Sequence, residues 1–242
     1  MYSTRTRWQT YRSDCCCTSF WYGLTKRARI AVYSKERVKP EELSTYQNLT
    51  DANWKGRILI RSSGNIYNQS LLASIIAADG EEGAKNWAAG MVNNLARPPK
   101  GNDRDQVKAI AQGIGDVAIV NTYYIGKLLN SDKEEERKAG EAVGVAFITD
   151  TKGGTHINVS GIGVTKNSPN KDNAIKLIEF LTDKAAQTEF ASANYEYPIH
   201  PGVSASELLA SWGTFQDQEV NLADLGANNA KAVMLFDEVG WK

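Results

Sequence analysis

The stretch Gly115–Leu129 restricts the fold more than any other part of the chain. Its first half contains Val117–Val120, a short uninterrupted apolar run that is typical of a strand buried on both faces. Thr122 is a good helix N-cap residue, and the segment after it can form a helix. With Thr122 as the cap, Tyr123 and Tyr124 occupy the first helical turn, beside free backbone N–H groups and the positive end of the helix dipole.

The tyrosine pair has two interpretations. In the first, Tyr123 packs on the sheet and Tyr124 lies on the surface, which is the simpler account of the pair alone. In the second, both phenols lean towards one ligand, because successive residues of a helix diverge by only about 100°. Open α/β sheets bind ligands at this place, beyond the carboxyl ends of their strands.

An earlier part of the chain repeats the same pattern. Arg57–Arg61 is predicted to be a strand, Ser62–Asn65 a loop that ends in a cap, and Ile66–Ala78 a helix. Tyr67 therefore also falls in the first turn of a helix that follows a strand. Two such units in one parallel sheet would direct Tyr67 and the tyrosine pair into one crevice, which favours a ligand set over core packing.

The composition excludes several classes of protein. The chain has 242 residues, of which 42% are hydrophobic, as in ordinary globular proteins. Lys+Arg and Asp+Glu both number 28, so no general nucleic-acid or anionic-membrane partner is indicated. No apolar run reaches the roughly 18 residues that span a bilayer. The polar first ten residues contain no signal peptide, which taken alone predicts a cytoplasmic chain.

The familiar signatures of metal sites built from Cys or His, and of catalysis, are missing from the sequence. The cysteines are confined to Cys15–Cys17, which fits neither a regular disulfide framework nor a zinc site. His156 and His200 lack ligand spacing and are interpreted as ordinary packed or surface residues. No nucleophile elbow, P-loop or H-E-x-x-H is present, so an enzyme is not predicted. Residues 1–20 follow neither the helix nor the strand period and are interpreted as an atypical, non-native lead-in.

Six sequence blocks carry a family resemblance: Trp54–Arg57, Asn65–Gln69, Gly115–Ala118, Asn121–Tyr124, Gly161–Val164 and Ala174–Leu181. Through them the chain, from about residue 21 to residue 242, resembles the periplasmic ferric-ion-binding proteins of ABC iron transporters. The resemblance implies that Tyr67, Tyr123 and Tyr124 match the phenolate ligands of Fe³⁺ in that family. It also implies that Arg27 matches an arginine that lies near the iron without binding it.

The same resemblance implies an α/β type II periplasmic-binding fold, with two α/β lobes joined by hinge strands. Residues 21–31 and 156–204 would form the remainder of lobe 1 with the hinge strands. Residues 32–155 and 205–242 would form lobe 2, which carries the tyrosines. Family members begin with a signal peptide and a first half-lobe, so the resemblance also implies an N-terminally truncated chain in which that half-lobe is largely missing.

The implied function is capture of ferric iron in the periplasm by a monomer that delivers it to an ABC permease in the inner membrane. A hard, highly charged cation such as Fe³⁺ suits anionic oxygen donors. Two alternatives stay open from the residues. One is a binding protein of the same fold for another small solute or oxyanion, such as a polyamine, thiamine or sulfate. The other is a non-functional truncated remnant.

Overall fold

The computed structural model describes residues 21–242. The predicted lead-in and its cysteine triplet lie outside the described residues. Within the described part of the chain, no helix has both the length and the apolar character needed to cross a membrane.

Strands and helices alternate along the chain, which confirms the predicted α/β class. The strands are β1 (Trp21–Ser34), β2 (Ile58–Leu59), β3 (Val117–Asn121), β4 (Val143–Ala146), β5 (Ile157–Gly163) and β6 (Tyr197–Pro198). The helices are α1 (Ile66–Asn93), α2 (Asp103–Ala111), α3 (Thr122–Leu129), α4 (Glu134–Glu141), α5 (Lys171–Thr182), α6 (Lys184–Ala193), α7 (Glu207–Ser211) and α8 (Leu222–Glu238). Short 3₁₀ turns at Pro40–Glu42, Gln47–Thr50 and Ala52–Trp54 connect β1 to β2.

The described chain divides into two compact units. The smaller unit contains the described residues up to Arg27 together with Val159–Ser211. The larger unit contains Ala28–Asn158 and Trp212–Lys242. The first residues of β1 therefore belong to the smaller unit and the rest of that strand to the larger one.

The sheet of the larger unit has the strand order β2-β3-β1-β4. β2 and β3 run parallel, with Ile58 opposite Val117, as the repeated strand-and-helix pattern predicted. β1 runs antiparallel to both β3 and β4, so the sheet as a whole is mixed. A parallel neighbour needs a long crossover connection, and α1 and α2 supply it between β2 and β3.

Alternate residues of the central strands enter two hydrophobic cores. Ala31 on β1 and Ile119 on β3 pack with residues of α1 and α8. Their neighbours Ile30 and Val120 pack with residues of α2, α3 and α4. Because successive strand side chains point to opposite faces, the two cores lie on opposite sides of the sheet. The burial of β3 on both faces is the predicted one: all five of its residues are buried.

In the smaller unit, a buried glutamine joins three elements. β6 pairs antiparallel with the start of β1, with Lys26 opposite Tyr197. Gln187 on α6 donates from Nε2 to the carbonyl of Leu24 at 2.8 Å and accepts from the Ile199 amide at 3.0 Å. A buried amide that is satisfied at both ends fixes β1, α6 and the segment after β6 against each other.

Two element boundaries differ from the predicted ones. The strand predicted over Arg57–Arg61 is reduced to the two residues of β2, Ile58–Leu59. The helix predicted over Ile66–Ala78 ends, as expected, at Gly80, whose backbone is non-helical, and a second helical segment of α1 follows the kink and ends at Asn93. The cap of α3 is Asn121 rather than Thr122, so Tyr123 and Tyr124 occupy the second and third helical positions.

The kink in α1 provides a stability prediction. Gly80 has φ 78° and ψ 176°, a conformation that is open almost only to glycine. We expect Gly80→Ala to lower the free energy of unfolding by about 1–2 kcal/mol. Gly226→Ala, at a helical position in α8 with nothing within 4 Å of the added methyl group, should raise it by about 0.5–1 kcal/mol. Urea denaturation of both variants checks the opposite signs, and equal effects would contradict the assigned strain.

Candidate metal centre

The pairing of β2 with β3 places two helix starts close together. The strands are parallel, so their carboxyl ends lie at the same edge of the sheet. α1 begins after the loop that follows β2, and α3 begins directly after β3. Tyr67 is the second residue of α1, and Tyr123 is the second residue of α3.

The three predicted tyrosines come together at these helix starts. The phenol oxygens of Tyr67 and Tyr123 are 3.4 Å apart and share a hydrogen bond. The rings of Tyr123 and Tyr124 lie with centroids 4.1 Å apart and planes inclined by 33°. All three side chains are partly buried, so each remains partly accessible to a ligand. Tyr123 is the central member, because it contacts both of the others.

While the site is empty, its electrostatics favour the protonated form of the Tyr123 phenol. Burial raises the pKa of the Tyr123 phenol, and hydrogen bonds with Tyr124 and Tyr67 raise it further. Two cations lie close by: Lys127 Nζ is 5.1 Å from the Tyr123 ring centroid, and Arg29 Cζ is 5.9 Å from that of Tyr67. The central phenol is therefore neutral at ordinary pH, and cations are in place to favour a phenolate once something displaces its proton.

Neither tyrosine-bearing helix has a side-chain cap. Asn65 before α1 and Asn121 before α3 are both suitable N-cap residues, but neither side chain accepts a bond from the first turn. By contrast, α2 is closed by a capping box from Asn102 and Asp105. The first-turn N–H groups of α1 and α3 therefore keep their positive potential beside the phenols.

Arg27, which the resemblance placed near the iron, belongs to the smaller unit. Its Nη1 donates to Ser160 Oγ at 2.6 Å. The three tyrosines belong to the larger unit. A role of Arg27 beside the metal stays a prediction.

Sequence reasoning did not identify four buried polar residues around the site: Arg29, Asn68, Asp103 and Asn121. They are linked through the guanidinium of Arg29, which contacts the other three. One signal was present in the sequence, because Arg29 interrupts an apolar run in the segment that forms β1, where a buried charge requires a partner. The identity of that partner was not visible in the sequence.

The donor set of the site is phenolic oxygen. Among residues 21–242, no group of three or more His, Cys, Asp or Glu side chains is arranged to hold a metal ion. His156 is buried, with Nε2 3.0 Å from Ser70 Oγ and Nδ1 2.9 Å from Gln218 Oε1. As the sequence suggested, it is a packed residue. Three convergent phenol oxygens suit a small, hard, triply charged cation.

Residues 10–214 match a protein family described as bacterial extracellular solute-binding protein. Iron uptake protein A1 of Synechocystis sp. is 50% identical over 222 residues, which are 92% of this chain and 62% of that protein. The chain therefore spans less than two thirds of the length of this relative.

Solved structures resemble the chain over nearly its whole length. An IdiA/FutA protein of Trichodesmium in complex with iron and citrate is 47% identical, with a TM-score of 0.90 over 96% of this chain and 72% of that one. The ferric binding protein of Campylobacter jejuni is 41% identical, with a TM-score of 0.86 over 92% of this chain and 71% of that one. These similarities confirm the predicted periplasmic-binding fold.

Proposed function

The chain belongs to the bacterial extracellular solute-binding protein family, and we propose that it captures ferric iron with the phenolate oxygens of Tyr67, Tyr123 and Tyr124. It does so outside the cytoplasm, in the periplasm, and delivers the ion as a monomer to an ABC permease in the inner membrane. It acts as a carrier rather than an enzyme. The names of its relatives, an iron uptake protein and ferric binding proteins, support iron as the solute.

One observation carries this proposal: three phenols meet at two helix starts, with the Tyr67 and Tyr123 oxygens 3.4 Å apart. Oxygens at this separation can bind one ion together after a small adjustment. Three phenolates balance the three positive charges of Fe³⁺, so the loaded site is close to neutral. Neither a neutral organic solute nor sulfate carries the positive charge that would displace the phenol protons and use the three oxygens as anions.

The raised pKa of the Tyr123 phenol suggests how bound iron is released. Burial is its main cause, so the phenol keeps its proton while the site is empty. Binding of Fe³⁺ must displace that proton, and acidification therefore competes with the metal. Reduction to Fe²⁺ also weakens the site, because one of the three phenolate charges is then no longer balanced.

Titration of the purified apo-protein with ferric citrate tests the proposed function. We expect a visible phenolate-to-iron charge-transfer band that saturates at one iron per chain. The band reports phenolate bound to Fe³⁺ directly, so it separates binding at tyrosines from iron held elsewhere on the surface. A cooperative circular dichroism melt of the same sample establishes that the chain is folded.

A folded chain that gives no band would contradict the proposal. A panel of polyamine, thiamine and sulfate, followed by isothermal titration calorimetry, then tests the other solutes of the same fold. Saturable binding of one of them, without competition from ferric citrate, would replace iron as the assigned solute. A chain without a cooperative melt would instead indicate a remnant without function.

A further inference from the structure

A buried ion pair adjoins the tyrosine site. Arg29 Nη1 lies 2.7 Å from Asp103 Oδ2, and both side chains are 0% exposed. Burying two charges costs several kcal/mol, by rough estimates, so such a pair is weak evidence for stability alone. Its other hydrogen bonds indicate what else it does.

The guanidinium of Arg29 reaches both tyrosine-bearing helices. Its Nη2 donates to Asn68 Oδ1 at 2.7 Å, and Asn68 directly follows Tyr67 on α1. Its Nη1 also donates to Asn121 Oδ1 at 3.3 Å, and Asn121 directly precedes α3. The bond to Arg29 engages the Asn121 side chain, which does not cap α3. One rigid fork therefore joins the two helix starts.

Asp103, the other member of the ion pair, also contacts residues that precede both helix starts. Its Oδ2 accepts the backbone N–H of Asn121 at 3.0 Å, and its Oδ1 lies 3.4 Å from Arg61 Nη1. Arg61 belongs to the segment between β2 and α1, and Asn68 Nδ2 donates to its carbonyl at 2.8 Å. Asp103 is itself the first residue of α2. Three helix starts therefore share one ion pair.

Resting on the proposed iron site, we infer that Arg29 and Asp103 are positioning residues of that site. They hold the starts of α1 and α3 at the separation that lets the Tyr67 and Tyr123 oxygens approach one ion. Metal donors must be placed within about 0.5 Å of their productive positions. A planar fork bonded to Asn68 and Asn121 at once can impose that tolerance, whereas packing of the partly buried phenols alone leaves them more freedom.

A second ion-pair cluster in the larger unit supplies a matched control. Asp116, directly before β3, binds two arginines, Arg37 and Arg57, just as Asp103 binds Arg29 and Arg61. It lies at the opposite end of β3 from the tyrosine pair. Loss of an arginine fork at this end should affect stability without affecting the geometry of the phenols.

The test compares Arg29→Lys with Arg37→Lys in the full chain. Lysine keeps the positive charge but cannot bond Asp103, Asn68 and Asn121 from one planar group. For Arg29→Lys we expect a shifted charge-transfer band on titration with ferric citrate and an apparent iron affinity lower by about 10- to 100-fold. Hydrogen exchange in the apo-protein should become faster in the first turn of α1 and at Asn121. Arg37→Lys should match the wild type in all three measurements.

An Arg29→Lys variant with the wild-type band and affinity would overturn the inference, even if hydrogen exchange changed, because the pair would then be structural only. If Arg29→Lys does not melt cooperatively, Asn68→Ala decides by the same measurements, since it leaves the ion pair whole and removes the bond from Arg29 to α1 together with the bonds from Asn68 to the carbonyls of Arg61 and Ser62. A wild-type chain without the band would refute the proposed function itself. That result is distinct from a wild-type band that the variants leave unchanged.

Discussion

Tyr123→Phe is expected to abolish or shift the charge-transfer band and to lower the apparent iron affinity by more than the roughly 10- to 100-fold typical of outer-shell changes, because it removes a ligand. Tyr123 is the central phenol, since it shares a hydrogen bond with Tyr67 and lies against the Tyr124 ring. Phenylalanine keeps the ring and its packing but removes the oxygen. Two phenolates would remain for three positive charges. Tyr124→Phe, which removes a peripheral phenol, should abolish or shift the band.

Tyr33→Phe is the matched control. Tyr33 is also partly buried and lies on β1 opposite Val117, at the far end of β3 from the site. The variant loses one phenol oxygen without touching the cluster, so its band and affinity should equal those of the wild type. Ferric citrate titration, followed by visible absorbance, measures all these variants. An unchanged band in Tyr123→Phe would contradict the assignment of the tyrosines as iron ligands.

Mild acid is expected to destabilise the fold through His156. Burial is the main cause that lowers the pKa of this histidine from 6.5 to about 4, and the nearby Arg29 charge acts in the same direction. The unfolded chain binds a proton below about pH 6.5, whereas the folded chain resists it until about pH 4. Stability is therefore complete above pH 6.5 and declines below it, by about 2 kcal/mol between pH 7 and pH 5 at roughly 1.4 kcal/mol per pKa unit.

Urea denaturation at pH 7 and pH 5 measures this contribution. His156→Gln removes the titrating group, so its stability should fall less than that of the wild type between the two pH values, by about 2 kcal/mol. His200→Gln is the control, because it replaces the other histidine, which lies in the smaller unit. It should keep the full decline. Equal declines in all three proteins would show that His156 does not resist protonation in the fold.

Local patterns in the sequence predicted the elements that carry the site. The apolar run before the tyrosine pair forms β3, and the helix predicted from Ile66 begins at that residue. Both features depend on short-range rules, namely residue period and cap chemistry, which act within one turn or one strand. The repeated placement of a tyrosine after a strand then predicted that Tyr67 and the pair converge, and the structure brings them together. Their role as iron ligands stays a prediction.

Longer-range features of the site could not be predicted from those rules. The resemblance directed attention to Arg27, whereas the arginine bonded beside the tyrosine-bearing helices is Arg29, two residues further along β1. The alternation of side chains along a strand predicts which face each side chain occupies, but it does not identify the residues that each side chain contacts.

By itself the sequence determined the α/β class, the two helix starts and the three phenols, because each is encoded within a few neighbouring residues. Only the tertiary structure decided the spacing of the phenols and the network around them. The Tyr67 and Tyr123 oxygens meet across 56 residues of chain, and Arg29 meets Asp103 across 74. Such contacts depend on strand register and on helix packing, which are set when distant segments bury their apolar faces together.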